Sequence, residues 1–267
     1  MKITAAEIYS LAEKIRNKSP VVHNITNYVV MNNTANALLA IGASPVMAHA
    51  GEEMEEMVGI AQALVINIGT LSEKWISSMF DAMHHAARKN IPVILDPVGA
   101  GATSLRTRTA RELIARNPPA IIRGNASEIM ALADDKTKTK GVDSAASADK
   151  AIAIAQKISA TYKCVVCVSG VTDYIVEEKK IARVGNGHPL MTRVTGLGCT
   201  ASALCGAFAA VEKSFFAATA GAMAVMGIAG EMAAGKAKGP GSLQMHFLDN
   251  LYRLSADDIK QRLKMEE

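Results

Sequence analysis

Apolar residues fall along this chain in two alternating patterns. Short uninterrupted runs at 20–23, 44–48, 63–68, 92–95, 120–122 and 164–168 have strand length and are rich in Val, Ile and Leu, which predicts buried β-strands. Between them, apolar positions recur every three or four residues over 29–41, 52–59, 72–89, 104–115, 126–133 and 147–161, the spacing of helices with one buried face. The chain opens with another helix: Thr4 and Glu7 have capping-box spacing, and Ile8, Leu11, Ala12 and Ile15 follow on one face. Such alternation predicts an α/β fold with a mostly parallel sheet covered by helices on both faces. Runs at 174–176 and 181–184 predict an antiparallel pair at the sheet edge, and the polar stretch 134–147, with Lys136, Lys138 and Lys140, predicts a surface loop. From Gly198 onward the pattern is helical throughout, with Gly206, Gly221, Gly227, Gly230 and Gly235 set among alanines where helices pack closely.

Composition narrows the class. The 267 residues are 49% hydrophobic and 20% charged, as in a soluble globular protein, and no linker-like segment divides them, so we read a single domain over 1–267. The 29 basic and 25 acidic residues are scattered, which argues against a nucleic-acid partner. The most apolar stretch, 217–234, is broken by Gly221, Gly227, Gly230 and Glu231 and suits a buried core helix better than a membrane span. Four cysteines without a secretory leader point to the cytoplasm.

Three segments carry candidate chemistry. In Val194-Thr195-Gly196-Leu197-Gly198-Cys199-Thr200 a glycine-rich turn opens into a small-residue helix, gathering free backbone N–H groups and the positive helix end at one point. This fits a phosphate; a plain tight turn is the alternative. Cys199 at that helix start is expected to have a lowered pKa, making it a candidate base or nucleophile, or else it is a small packing residue. Asp96, in Asp96-Pro97-Val98-Gly99-Ala100-Gly101, follows a strand at the sheet end where ligands of α/β proteins bind, and either serves a metal or phosphate there or caps a turn. In Arg123-Gly124-Asn125-Ala126-Ser127-Glu128, again after a strand, Arg123 suits a phosphate and Glu128 a hydrated Mg²⁺, while Asn125 and Glu128 also have the spacing of a plain capping box. Cys164 and Cys167 lie on opposite faces of one strand, which excludes a zinc or dithiol role.

Together with the stretch from Val22 to Asn32 (VHNITNYVVMN), Ser44 to Ala48 (SPVMA) and Val168 to Asp173 (VSGVTD), these segments occur in an order that resembles the hydroxyethylthiazole kinases, a ribokinase-like family, across nearly the whole chain. The resemblance implies a three-layer αβα sandwich, transfer of the ATP γ-phosphate to the hydroxyl of 4-methyl-5-(2-hydroxyethyl)thiazole, Mg²⁺ as cofactor, and a homotrimer with sites at subunit boundaries. By motif it places Met47, Gly196, Asn24 and Asn27 on the thiazole, Arg123, Ser169 and Gly198 on ATP, and Asp96 and Glu128 on Mg²⁺ through water or phosphate oxygens. Cys199 stands where the wider superfamily carries the aspartate that takes the hydroxyl proton, so the resemblance gives Cys199 the task of positioning or weakly activating that hydroxyl. A kinase for another small alcohol, a cysteine hydrolase lacking an identified histidine base, and a non-catalytic nucleotide-binding scaffold are the competing readings.

Overall fold

A computed structural model describes residues 3–133 and 144–267. The predicted 134–147 loop lies mostly outside the described residues, and a helix already begins at Ser144. Helix α1 (Ala5–Lys18) starts with the expected capping box between Thr4 and Glu7 and buries Ile8, Leu11, Ala12 and Ile15. Strands β1 (Val21–Ile25), β2 (Ser44–Val46), β3 (Ala63–Asn67), β4 (Val93–Asp96), β5 (Ile121–Asn125) and β6 (Val165–Ser169) follow in chain order, separated by helices α2 (Met31–Ile41), α3 (Met54–Ile60), α4 (Glu73–Lys89), α5 (Ser104–Arg116), α6 (Ala126–Leu132) and α7 (Ser144–Tyr162). The antiparallel pair β7 (Asp173–Glu177) and β8 (Lys180–Val184) comes next, then α8 (Leu197–Ala209), α9 (Phe215–Ala234), α10 (Pro240–Arg253), α11 (Ala256–Arg262) and a short strand β9 (Met265–Glu266).

These strands form one nine-stranded sheet in the order β2-β1-β3-β4-β5-β6-β7-β8-β9. Pairing is parallel from β2 to β6 and antiparallel from there to β9. Alternate residues of each parallel strand feed two cores. Val22, Val65, Ile94 and Cys167 pack against α1, α2, α8 and α9, whereas Ile25, Ile66, Leu95 and Val168 pack against α3 to α7. Cys164 and Cys167 accordingly belong to different cores, as expected from a period of two. Helix α9 has the length and hydropathy of a membrane span, but 78% of its apolar window is buried in the fold, in agreement with a core helix.

The strand ends differ from expectation in ways that matter for the site. Strand β5 runs on to Asn125 rather than stopping at residue 122, because its parallel pairing with β6 continues through Asn125 opposite Ser169. Arg123 therefore projects from within a strand, opposite Cys167, and not from the turn after it. Asp96 is likewise the last residue of β4, paired with Asn67 of β3. Helix α2 begins at Met31 rather than at residue 29, leaving the side chains of Tyr28 and Val29 exposed. The all-helical reading after Gly198 missed only β9, too short to leave a pattern.

Candidate active site

The carboxyl ends of β1, β3, β4, β5 and β6 lie side by side beneath the first turn of α8. Gly196 caps that helix with φ +83°, a left-handed conformation that glycine adopts without a steric penalty. The first i→i−4 bond of the helix runs from Thr200 N–H to Gly196 C=O at 2.9 Å. The amides of Leu197, Gly198 and Cys199 precede it, so the helix leaves them unused. Arg123 reaches this turn from β5 and donates from Nη1 to Gly198 C=O at 3.1 Å. Its Nε is buried and has no hydrogen-bond partner among the described residues. Burial works against the Arg123 cation, but Asp96, Cys167 and Asp173 outweigh it and its pKa is raised, so the charge is kept.

Beside the arginine opens a cleft of about 630 Å³, walled by Ser169, Met191, Leu197, Met223 and Met226. Ser169 donates to Gly124 C=O at 3.2 Å, bringing the end of β6 to the end of β5. Asp173 accepts the Gly170 N–H at 3.0 Å, and burial lifts its carboxyl to about 6. Much of the wall is apolar, with Arg123, Ser169, Asp173, Asn186, His188 and Thr192 as its polar members.

On the other side of the turn, Asp96 is 1% exposed and its Oδ2 accepts from Ser202 Oγ at 2.7 Å and Asn67 Nδ2 at 3.0 Å. Burial lifts this carboxyl to about 6 against the opposing pull of Arg123. Glu128 completes the capping box of α6: its Oε2 accepts the Asn125 N–H at 2.8 Å and Asn125 Oδ1 accepts the Glu128 N–H at 2.9 Å. Its Oε1 accepts the Gly99 N–H at 2.9 Å. The capping alternative is thus realised, and it also pins the loop after Asp96.

Cys199 departs from expectation. Its pKa is raised to about 11, because burial disfavours the thiolate and Asp96 adds negative charge nearby, and the amides of Asn67 and Asn27 recover only part of this. The net shift is upward, the reverse of the lowered value expected at a helix start. Near pH 7 Cys199 is a thiol, with Asn27 Nδ2 3.5 Å from its Sγ. Iodoacetamide should therefore alkylate Cys199 slowly at pH 7, with a rate that climbs about tenfold per pH unit up to the pKa. Peptide mass spectrometry after timed labelling reads this, and a plateau below pH 9 would contradict it.

Of the residues singled out from sequence, Gly196, Gly198, Cys199, Arg123, Asp96, Ser169 and Asn27 converge on this region, and Glu128 braces it. Asn24 does not join them: it is fully buried and turns its amide back to Val22 C=O at 2.8 Å. Met47 follows β2 half-buried, in a segment held where His23 Nε2 meets Ala48 C=O at 2.8 Å. Three contributors were missed. Asn67 was legible in principle as the polar end of an apolar strand, the logic applied to Asp96. Ser202 lies on α8, and Arg106 ties the loops after β3 and β4 through the carbonyls of Ile68, Gly69 and Val98; neither had a sequence signal.

A parallel sheet between two helical layers, with a glycine-capped helix over its strand ends and a cleft beside an arginine, defines a ribokinase-like fold. The pyridoxal kinase from Staphylococcus aureus in complex with AMP-PCP shares it, with a TM-score of 0.62 at 15% identity over 78% of this chain and 86% of that one. The chain belongs to the Hydroxyethylthiazole kinase family, whose profile matches residues 12–257. It is 61% identical over 266 residues to the hydroxyethylthiazole kinase of Syntrophus aciditrophicus, covering 99% of this chain and 98% of that protein. It is 59% identical over 251 residues to that of Leptospira biflexa, covering 94% of each. The structure of hydroxyethylthiazole kinase from Pyrococcus horikoshii OT3 superposes with a TM-score of 0.89 at 43% identity over 97% of this chain and 98% of that one.

Proposed function

We propose that the open end of α8 and the groups around it are where this chain carries out its family's reaction, the ATP-dependent phosphorylation of hydroxyethylthiazole. The observation that carries this placement is the convergence of the free α8 amides with Arg123, which lines the cleft and donates to Gly198 C=O. Both are donors to an anion, and both stand beside the cleft, where the nucleotide's phosphates would end if its base lies among Met191, Met223 and Met226. The thiazole then takes the side of Asn27, Met47 and Gly196.

Asp96 and Glu128 fit a hydrated Mg²⁺ rather than one caged by protein. Among the described residues two donors occupy Asp96 Oδ2 and none its Oδ1, and each Glu128 oxygen accepts a single backbone N–H, leaving acceptor capacity for water. When bound, Mg²⁺ supplies charge neutralisation on the phosphates. The chain's own contribution is positional: Arg123 and the α8 amides hold the transferring group, and Cys199, a thiol at neutral pH, orients the substrate hydroxyl without first removing its proton. A loose phosphoryl-transfer transition state requires little prior deprotonation. Assembly into a homotrimer is what the family resemblance implies, and the exposed Tyr28 and Val29, directly after Asn27, offer apolar surface for a subunit contact beside the site.

The deciding experiment is ADP release from Mg·ATP with the thiazole, with hydroxymethylpyrimidine as the comparison acceptor and no acceptor as control. Release with the thiazole alone is expected; release only with the pyrimidine would move the substrate, and silence with both would refute the reading. Cys199→Ala should lower kcat by about tenfold, the scale of a lost orienting contact. Unchanged kcat and kcat/KM would remove Cys199 from the mechanism.

A further inference from the structure

Asn67 is the polar last residue of an otherwise apolar β3, 1% exposed, and the groups around its amide determine which way it faces. The backbone N–H of Gly69 donates to Oδ1 at 2.9 Å. A backbone N–H can only donate, so the atom it meets is the oxygen, and Nδ2 is turned toward Asp96 Oδ2 at 3.0 Å. The same Oδ1 accepts from Asn27 Nδ2 at 3.0 Å, and that nitrogen lies 3.5 Å from Cys199 Sγ. One planar amide thus links the Asp96 carboxylate to the amide facing the thiol. Residue 69 must be small for this to exist: a Cβ there would stand 2.6 Å from Asn27 Nδ2 and 2.8 Å from Asn67 Oδ1.

We infer that Asn67 is a positioning residue for phosphoryl transfer, its locked amide setting both the rotation of the Asp96 carboxylate and the orientation of the Asn27 amide beside Cys199. The inference rests on the placement of Asp96 and Cys199 at the reacting centre. Buried polar networks of this kind hold their members as a unit, so removing the central amide releases both sides at once. Ser202 still holds Asp96 Oδ2 at 2.7 Å when Asn67 is gone, but a single donor leaves the carboxylate free to turn about that contact. Asn67 meets the Cys199 thiol and the Asn27 amide but does not line the cleft, so it has no reason to alter ATP affinity directly.

The test uses the full chain with Asn67→Ala, and Asn67→Ser should the first not fold, each checked by thermal unfolding. Steady-state kinetics should show kcat lowered by about 100-fold, the cost of a misplacement near 1 Å, with KM for ATP within about twofold of the parent and any rise in KM confined to the thiazole, which lies on the Asn27 side. A ligand-free crystal structure of the same variant should show the Asn27 amide and the Asp96 carboxylate turned away from their parent orientations. Gly69→Ala, which strikes the same amides from outside, should give the same pair of results. A kcat within about threefold of the parent, a rise in KM at constant kcat, or unturned Asn27 and Asp96 would each overturn the inference. If the parent itself releases no ADP, the reading of the site fails visibly in that control, and the crystal structure alone decides whether Asn67 holds the two side chains.

Discussion

Asp96→Asn should lower kcat by about 10³-fold while leaving the protein folded. The side chain is nearly inaccessible, carries negative charge toward Arg123 and has one oxygen fixed by Ser202 and Asn67. Asparagine keeps the size and shape but removes the charge, so the change falls on electrostatics and not on packing. Loss of a preorganised charge at the reacting centre costs about 10² to 10³ in kcat, and the upper end is expected here because the carboxylate also serves the metal in the proposed site. The melting midpoint should fall, because Asp96 is the leading counter-charge of the buried Arg123, although relief of the buried carboxylate offsets part of the loss. Steady-state ADP release and a thermal melt on the same preparation check both halves. A kcat within about tenfold of the parent would place Asp96 outside the chemistry and return it to a structural role.

The second large effect is expected from Gly196→Ala. At φ +83° an alanine is strained, and its Cβ would lie 2.7 Å from Val30 Cγ1. Relief requires the first turn of α8 to shift, and the three free amides shift with it. The expected outcome is a fall of about 100-fold in kcat/KM, again the scale for a displacement near 1 Å, with stability lowered by about 1–2 kcal/mol from the left-handed backbone. Adding Val30→Ala relieves the overlap but not the dihedral strain, so the double variant should recover activity only in part. Full activity in Gly196→Ala would mean that this turn does not meet the phosphates.

The sheet and its helices were legible because the central parallel strands are largely apolar on both faces and the helices that flank them have an apolar face. The strand ends were less so. Where β5 stops depends on pairing with β6, which lies some forty residues further on, and nothing local to Arg123-Gly124-Asn125 reveals it. The glycine turn, Asp96 and Arg123 were readable because each has a distinctive residue beside a strand or helix end. The Cys199 pKa was not, since a helix start suggests a lowered value while burial and the neighbouring Asp96 charge, both products of tertiary packing, decide the sign. The polar chain through Asn27, Asn67, Asp96 and Ser202 spans four separate elements or loops, and only their assembly creates it.

The cleft wall built from Met191, Met223 and Met226 bears on how this protein ages under oxidants. Its cysteines are poor targets: Cys164 and Cys205 are raised to about 12, Cys199 to about 11, and Cys167 well above its usual value, all chiefly by burial. Thioether sulfurs carry no such protection, because their oxidation needs no deprotonation, and of the three Met191 is half-buried while Met223 and Met226 are each 4% exposed. Each sulfoxide formed there sets a polar oxygen into the apolar wall. If the cleft holds the nucleotide as proposed, oxidation of its wall would register as weakened nucleotide binding with all four thiols intact, and repair would fall to methionine sulfoxide reductases rather than to dithiol reductants.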